Sequence, residues 1–156
     1  MALDSAGLKT ALKALLDGTT PLSTAAAAGT AWADAIGTYA LTGKAGAVTA
    51  TEGPGTRAAF ASAFAAGVSV PGEAADAAAA ITAALGVYWV AMLFAGQIAP
   101  TNPTVGAADL QTALANIFSN VGGTHDAKAT SIRDAIHDYT QNVTVTFAGP
   151  AIVTIS

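Results

Sequence analysis

The chain has 156 residues, about the length of one domain, and 53% of them are hydrophobic, which excludes a disordered, solvating chain. Only 10% are charged, six basic against ten acidic, and no basic stripe exists of the kind that nucleic-acid binding requires. The absence of cysteine excludes disulfides, thiol catalysis and Cys-type zinc sites. We therefore expect a single domain over residues 1–156, with no nucleic acid as a direct partner.

The first predicted elements are two helices within residues 1–42. The first helix has its large apolar residues at the three- and four-residue spacing of one helix face: Leu8, Leu12, Leu15 and Leu16. The second helix shows the same spacing at Trp32, Ile36 and Tyr39. The segment after it, residues 47–51, contains β-branched residues and predicts a short strand.

The middle of the chain contains a segment long and apolar enough for a membrane span. Residues 77–96 carry no charge and have the length of a transmembrane helix. However, Tyr88 and Trp89 lie at the centre of the segment, whereas membrane proteins place such aromatics near the two interfaces. Glu73 and Asp76 flank one end, and neither flank has a basic anchor. Residues 77–96 are therefore either a core helix buried on all sides or a membrane span. The central aromatics and the lack of a basic anchor favour the core helix.

The three tyrosines of the chain, Tyr39, Tyr88 and Tyr139, lie 49 and 51 residues apart and share one upstream pattern. Each has an apolar residue seven positions before it, an alanine four before it and another apolar residue three before it. These positions form one face of a helix. The outward residues of the first and third copies, Asp34 and Asp134, align with an alanine in the second.

A second helix precedes each tyrosine helix and repeats as well. Its large apolar pairs are Leu12 and Leu16, Phe60 and Phe64, and Leu114 and Phe118. We therefore predict a mainly α-helical fold of three stacked helical hairpins of about 50 residues, at residues 1–52, 53–100 and 101–147. In such a stack the middle hairpin contacts both neighbours, which explains why residues 77–96 lack charge.

Residues 142–156, at the C-terminus, change from helical spacing to alternating β-branched residues and predict a β-hairpin. Two runs of alternating β-branched residues, 142–147 and 152–155, flank a turn with glycine and proline. A two-stranded hairpin alone is marginally stable in water, so this one requires a neighbour. That neighbour is either the chain itself, through its helices or the strand at 47–51, or the sheet edge of a partner protein. We favour packing on the chain's own helices.

No catalytic or cofactor-binding motif is present in the sequence. His125 and His137 would lie about 18 Å apart on one helix, too far to share a metal ion. Residues 37–44 resemble a phosphate-binding loop only superficially, because the glycine spacing is wrong and Ala45 replaces the Mg²⁺-binding hydroxyl residue. No Gly-x-Ser-x-Gly elbow exists. We predict no catalytic, cofactor-binding or metal-binding residue, and a protein that is not an enzyme.

The N-terminal third of the chain carries a resemblance to a known class of proteins. It combines a Met-Ala-Leu start, a Leu-Lys-x-Ala-Leu-Lys-Ala-Leu helix and an Ala-Trp-Ala-Asp-Ala-Ile-x-x-Tyr helix before a short β segment. This arrangement covers residues 1–42, recurs at 108–147 and resembles small Ala-rich structural proteins of tailed bacteriophages, of the contractile-tail and baseplate operon type. The resemblance carries over no functional residue. It implies a non-enzymatic component of the virion, assembled in the host cytoplasm.

The sequence therefore predicts a structural component of a phage virion, in its tail, baseplate or neck, that acts through protein–protein contacts. Its expected partners are other virion proteins, with copies of the same chain as a further option. The candidate contact residues are apolar residues of the C-terminal hairpin and one tryptophan: Val143, Val145, Phe147, Ile152, Val153, Ile155 and Trp32. Two alternatives stay open: a holin-like membrane-active protein spanning at residues 77–96, and a ligand-binding protein or enzyme with a cryptic site.

Overall fold

The computed structural model describes residues 3–18, 23–68, 72–148 and 151–156. In this part of the chain six helices form: α1 (Ser5–Leu16), α2 (Ala25–Ala40), α3 (Thr56–Val68), α4 (Ala74–Ala91), α5 (Ala107–Ser119) and α6 (His125–Gln141). Five short strands accompany them: β1 (Lys44–Ala45), β2 (Val48–Glu52), β3 (Met92–Phe94), β4 (Thr144–Thr146) and β5 (Ile152–Thr154). The prediction of a mainly helical fold with a small antiparallel strand pair at the C-terminus is confirmed.

Side chains at the helix N-termini explain where several helices begin. Asp4, Thr24 and Thr124 each accept a hydrogen bond from the backbone N–H three residues later, at the starts of α1, α2 and α6. Glu73 and Asp76 form a reciprocal capping box at the start of α4. Such caps satisfy backbone N–H groups that have no partner within the helix.

The six helices close into a ring. Each helix packs against its neighbours in chain order, and α1 also packs against α6. This closure differs from the predicted stack, in which only the middle hairpin would contact both of the others. Because the ring closes, helices from both ends of the chain share a single cluster of buried residues, which extends from Leu3 to Ile155.

Helix α4 contributes the largest buried side chains to this cluster. Tyr88 and Trp89 are completely buried, and Ala84 and Leu85 are buried beside them. Within the described residues, α4 is the one helix that could cross a membrane by its length and composition, and 44% of it is buried inside the fold. The helix ends at Ala91 and the chain continues as strand β3, so residues 77–96 do not form one continuous helix.

The predicted C-terminal hairpin is present and packs on its own chain. Strand β4 pairs antiparallel with β5, and the turn at residues 149–150 lies outside the described residues. The N–H and C=O groups of Lys44 and Ser156 exchange hydrogen bonds, which joins the hairpin to β1. On the other side, Ile98 and Asn102 donate backbone hydrogen bonds to the carbonyls of β4. Both outer sides of the hairpin are therefore engaged by this chain.

A three-stranded sheet completes the strand layer. Its order is β1-β2-β3, all antiparallel. The predicted strand at 47–51 corresponds to β2, which pairs with β1 and β3; among the described residues it forms no backbone pairing with the hairpin. Backbone pairing thus passes from β3 through β2 and β1 to the C-terminal hairpin, so the strand layer, like the helices, links the two ends of the chain.

The helices are not equally close to one another. A Cβ atom at Gly29 would collide with the backbone of Ala61, and one at Gly67 would collide with Ala80. The absence of these side chains lets α2 approach α3, and α3 approach α4, at short range. Between α1 and α2 a groove of about 420 Å³ is left.

The burial of Tyr88 predicts the cost of removing its side chain. We expect Tyr88→Ala to lower the free energy of unfolding by about 3–5 kcal/mol, because a large aromatic side chain in a closed core leaves a cavity. The exposed Val90 lies on the same helix, and Val90→Ala should change stability by no more than about 0.5 kcal/mol. Urea unfolding followed by circular dichroism measures both. Equal, small effects would contradict the inward orientation of Tyr88.

Candidate protein-protein interfaces

Most residues predicted to contact a partner lie in the chain's own core. Val143, Val145 and Ile155 are almost fully buried by the rest of the fold. Trp32 is 8% exposed and stacks on Phe64, with ring centroids 5.6 Å apart. In this fold these four residues pack in the core and expose at most 8% of their surface, and their role as partner contacts stays a prediction.

The other three predicted contact residues keep part of their surface. Phe147 and Val153 are partly buried and pack against the core from the C-terminal hairpin. Ile152 is 70% exposed, because alternation along β5 turns it away from the core. Ile152 is therefore the predicted residue that is most available to another protein.

A different set of exposed apolar residues lies on α4 and the strand that follows. Val87, Val90 and Leu93, named here the α4 face, are 42%, 48% and 45% exposed. Val87 and Val90 are three residues apart and so lie on one side of the helix. Leu93 follows three residues later, in strand β3. Ile98, 65% exposed, follows after the turn at Gly96. None of these residues is among the partner contacts predicted from the sequence.

The α4 face also lacks charge. No charged residue follows Asp76 in α4, and its outward Ala83 is exposed. The aligned positions on α2 and α6 hold the exposed carboxylates of Asp34 and Asp134. The outer surface of α4 therefore lacks the carboxylates that α2 and α6 expose, and exposed large apolar side chains without charge beside them are candidates for an interaction site.

The groove between α1 and α2 is a second candidate. It is lined by the apolar side chains of Leu8, Leu15 and Tyr39 together with several alanines of both helices. Asp4 and Asp34 are its charged lining residues. A concave, mostly apolar surface with a few polar groups is typical of binding sites.

A network of polar side chains connects four elements next to this groove. Arg57 Nε donates to both carboxylate oxygens of Glu52, at 2.8 and 3.0 Å, and its Nη1 donates to Asp34 Oδ1 at 3.0 Å. The hydroxyl of Tyr88 donates to Glu52 Oε1 at 2.7 Å. Burial and the neighbouring carboxylate of Glu52 raise the pKa of Tyr88. One guanidinium thus holds two carboxylates, and the network ties β2, α2 and α3 to α4 while keeping a net negative charge.

The hydroxyls of the other two tyrosines also have partners. Tyr39 Oη lies 2.8 Å from His137 Nδ1, and Tyr139 donates to the carbonyl of Pro103 at 2.9 Å. Burial raises the pKa of Tyr139 to about 12 and raises the pKa of Tyr39 as well. The first of these contacts joins α2 to α6 across the closure of the ring.

The remaining histidine belongs to a group of surface ion pairs. His125 Nδ1 lies 2.9 Å from Asp17 Oδ1, and Lys13 Nζ lies 2.5 Å from Asp17 Oδ2. Hydrogen bonds from Lys13 and His125 lower the pKa of Asp17. Lys9 pairs with Asp126 at 2.9 Å. These pairs connect α1 to the start of α6, and no three His, Asp or Glu side chains in the described ranges lie close enough to hold a metal ion.

No protein-family model, curated protein or solved structure matches the chain.

The raised pKa values of the tyrosines predict how stability depends on pH. The folded chain keeps hydroxyl protons that the unfolded chain loses above pH about 10, because an unfolded tyrosine has its ordinary pKa. We therefore expect the free energy of unfolding to fall as pH rises from about 10 towards 12. Tyrosinate absorbance should then rise together with the loss of helical circular dichroism. A rise in absorbance near pH 10 with helicity intact would show that a hydroxyl is exposed.

Proposed function

We propose that the chain is a non-enzymatic structural component of a multi-subunit particle, in the tail, baseplate or neck region of a tailed bacteriophage virion. The α4 face carries the proposal: Val87 and Val90 expose apolar surface on a helix with no charge beyond its first turn, and Leu93 exposes more on the strand that follows. Burying such surface against another protein is favourable, and exposing it to water is not. The resemblance of residues 1–42 and 108–147 to small Ala-rich tailed-phage proteins supports the virion as its location.

The proposed partners are other virion structural proteins, joined during assembly in the host cytoplasm. The core of such a contact would be apolar, because the α4 face has no carboxylate or ammonium group to pair with. Ile152 on the C-terminal hairpin offers a smaller, additional apolar contact. A copy of the same chain is the second class of partner that the α4 face fits.

We also propose that the ring consists of three related hairpin units, at residues 1–52, 53–100 and 101–147. A buried tyrosine near the end of α2, α4 and α6 supports this division. The hydrogen bonds from Tyr88 to Glu52 and from Tyr139 to Pro103 both span 36 residues. An Ala-Gly pair follows each tyrosine helix in the sequence. In a closed ring each unit contacts both others, and the tyrosine helix of the middle unit has no charge beyond its first turn.

The packing of α4 disfavours the membrane-active alternative. To span a bilayer, α4 would have to leave the ring, which would expose the core faces of the neighbouring helices to water. It would also separate Tyr88 from Glu52, leaving the ion pair between Glu52 and Arg57 without its hydroxyl donor. Because Trp89 and Tyr88 are buried in the fold, the part of α4 available to lipid is limited to its outer side.

The experiment that tests the proposal is quantitative mass spectrometry of purified phage particles from the source of the chain. We expect the chain at a fixed stoichiometry relative to the other tail proteins. We also expect Val90→Glu to lower its incorporation by at least about tenfold, because a carboxylate buried without a partner costs more than 1.4 kcal/mol. Val121→Glu is the matched control, since Val121 is 96% exposed in the loop between α5 and α6.

Circular dichroism should show that both variants keep the wild-type helicity, because neither valine packs in the core. The absence of the chain from purified particles would refute the virion role. Equal incorporation of Val90→Glu and Val121→Glu would refute the α4 face as the contact.

A further inference from the structure

The groove between α1 and α2 has the shape and chemistry of a separate binding site. Its lining extends along α1 from Asp4 to Leu15 and along α2 from Ala31 to Tyr39. Eleven helical steps correspond to a length of about 16 Å. The groove does not include any residue of the α4 face, so a site here is independent of the virion contact proposed above.

The floor of the groove is apolar and firmly packed. Leu8 and Tyr39 are nearly fully buried, so their positions are fixed by the core beneath them. Between them the lining consists of small side chains, including Ala11, Ala31 and Ala35. Alanines on facing helices leave room for the larger side chains of a third element to enter.

Among the described residues, the charged side chains that line the groove are both acidic: Asp4 and Asp34 line it, and no lysine or arginine does. The two lysines of α1 are engaged elsewhere, because Lys9 pairs with Asp126 and Lys13 with Asp17. Asp34 pairs with Arg57 through one oxygen while its side chain stays exposed. The groove therefore presents two carboxylates to an incoming group.

A smaller version of this groove lies between α5 and α6. It has a volume of about 270 Å³, and Asp109 and Asp138 line it beside Leu110 and Tyr139. Its lining on α5 ends at Ala113, so it covers only the first half of that helix. The chemistry recurs, but the smaller groove extends only about 10 Å along α5, against about 16 Å along α1.

We propose that the groove between α1 and α2 binds an amphipathic helix of a partner protein, whose apolar stripe is flanked by lysine or arginine. Helix-in-groove complexes use anchors at positions i, i+4 and i+7, which span about 10 Å and fit within the groove. The apolar stripe covers the alanines and Leu15, above the buried floor that Leu8 helps to form. The flanking lysine or arginine side chains pair with Asp4 and Asp34, so the partner helix must carry positive charge beside its apolar stripe.

Two synthetic peptides test the proposal with purified full-length protein. The first is a fluorescently labelled peptide of about four helical turns, with leucine at the i, i+4, i+7 and i+11 positions and lysine elsewhere. The second has glutamate in place of every lysine. Fluorescence anisotropy should show saturable binding of the lysine peptide and at least about tenfold weaker binding of the glutamate peptide.

Variants of the chain locate the site. Ala31→Trp places a large side chain in the groove and should weaken binding of the lysine peptide by at least about tenfold. Ser131→Trp is the matched control, because Ser131 is exposed at the aligned position of α6 and lies outside the groove. The double variant Asp4→Asn, Asp34→Asn should weaken binding and reduce its dependence on salt. Asparagine caps a helix as well as aspartate does, so α1 is retained.

Four results would overturn the proposal: no binding of either peptide, equal binding of both, unchanged binding by Ala31→Trp, and loss of binding by Val90→Glu in place of Ala31→Trp. The last result would place the peptide on the α4 face. If circular dichroism shows that Ala31→Trp is unfolded, the double asparagine variant decides, and unchanged affinity of that variant would overturn the proposal equally.

Discussion

The burial of the inner side of α4 is the constraint on which the rest of the structure depends. Tyr88 and Trp89 are completely enclosed, and Phe60 packs edge-on against Tyr88 with ring centroids 6.2 Å apart. The hydroxyl of Tyr88 reaches Glu52, and Thr101 donates to the carbonyl of Trp89. One helix thus holds the adjacent helix, a strand and a loop in place. Because these contacts fix the orientation of α4, they also determine which of its residues face outward, among them Val87 and Val90.

Closure between the ends of the chain determines which surfaces are left for other proteins. The seam between α1 and α6 is joined by Lys9 with Asp126 and, nearby, by Tyr39 with His137. The strands close the same seam through Lys44 and Ser156. Because the C-terminal hairpin has chain on both outer sides, addition of a partner's strand is not the contact that this fold favours. The surfaces of the helices are the ones available.

The sequence predicted the elements of the fold better than it predicted their arrangement. Helical spacing located the helices that carry Tyr39, Tyr88 and Tyr139, and alternation located the C-terminal hairpin. The closure of the ring was not predictable from local patterns, because it depends on pairs such as Tyr39 and His137 that are 98 residues apart. The three hairpin units stay a proposal that these spacings support.

The candidate interfaces were harder to predict than the elements. Alternation marks Val143 and Val145 as residues of one sheet face, but it does not show that this chain covers that face. The outward position of Val87 and Val90 follows from helical spacing only after Tyr88 and Trp89 are known to point inward. The groove depends on how far α2 lies from α1 and how near it lies to α3, and no pattern within a single helix encodes that distance.

The central claim is that α4 belongs to the core of a folded ring and presents only its outer side to a partner. Fractionation of expressing cells without detergent, followed by sedimentation velocity of the soluble fraction, tests this claim most directly. The burial of Tyr88 and Trp89 predicts soluble protein that sediments as a compact monomer or small oligomer. Protein confined to the membrane pellet and released only by detergent would contradict it and make α4 a membrane span.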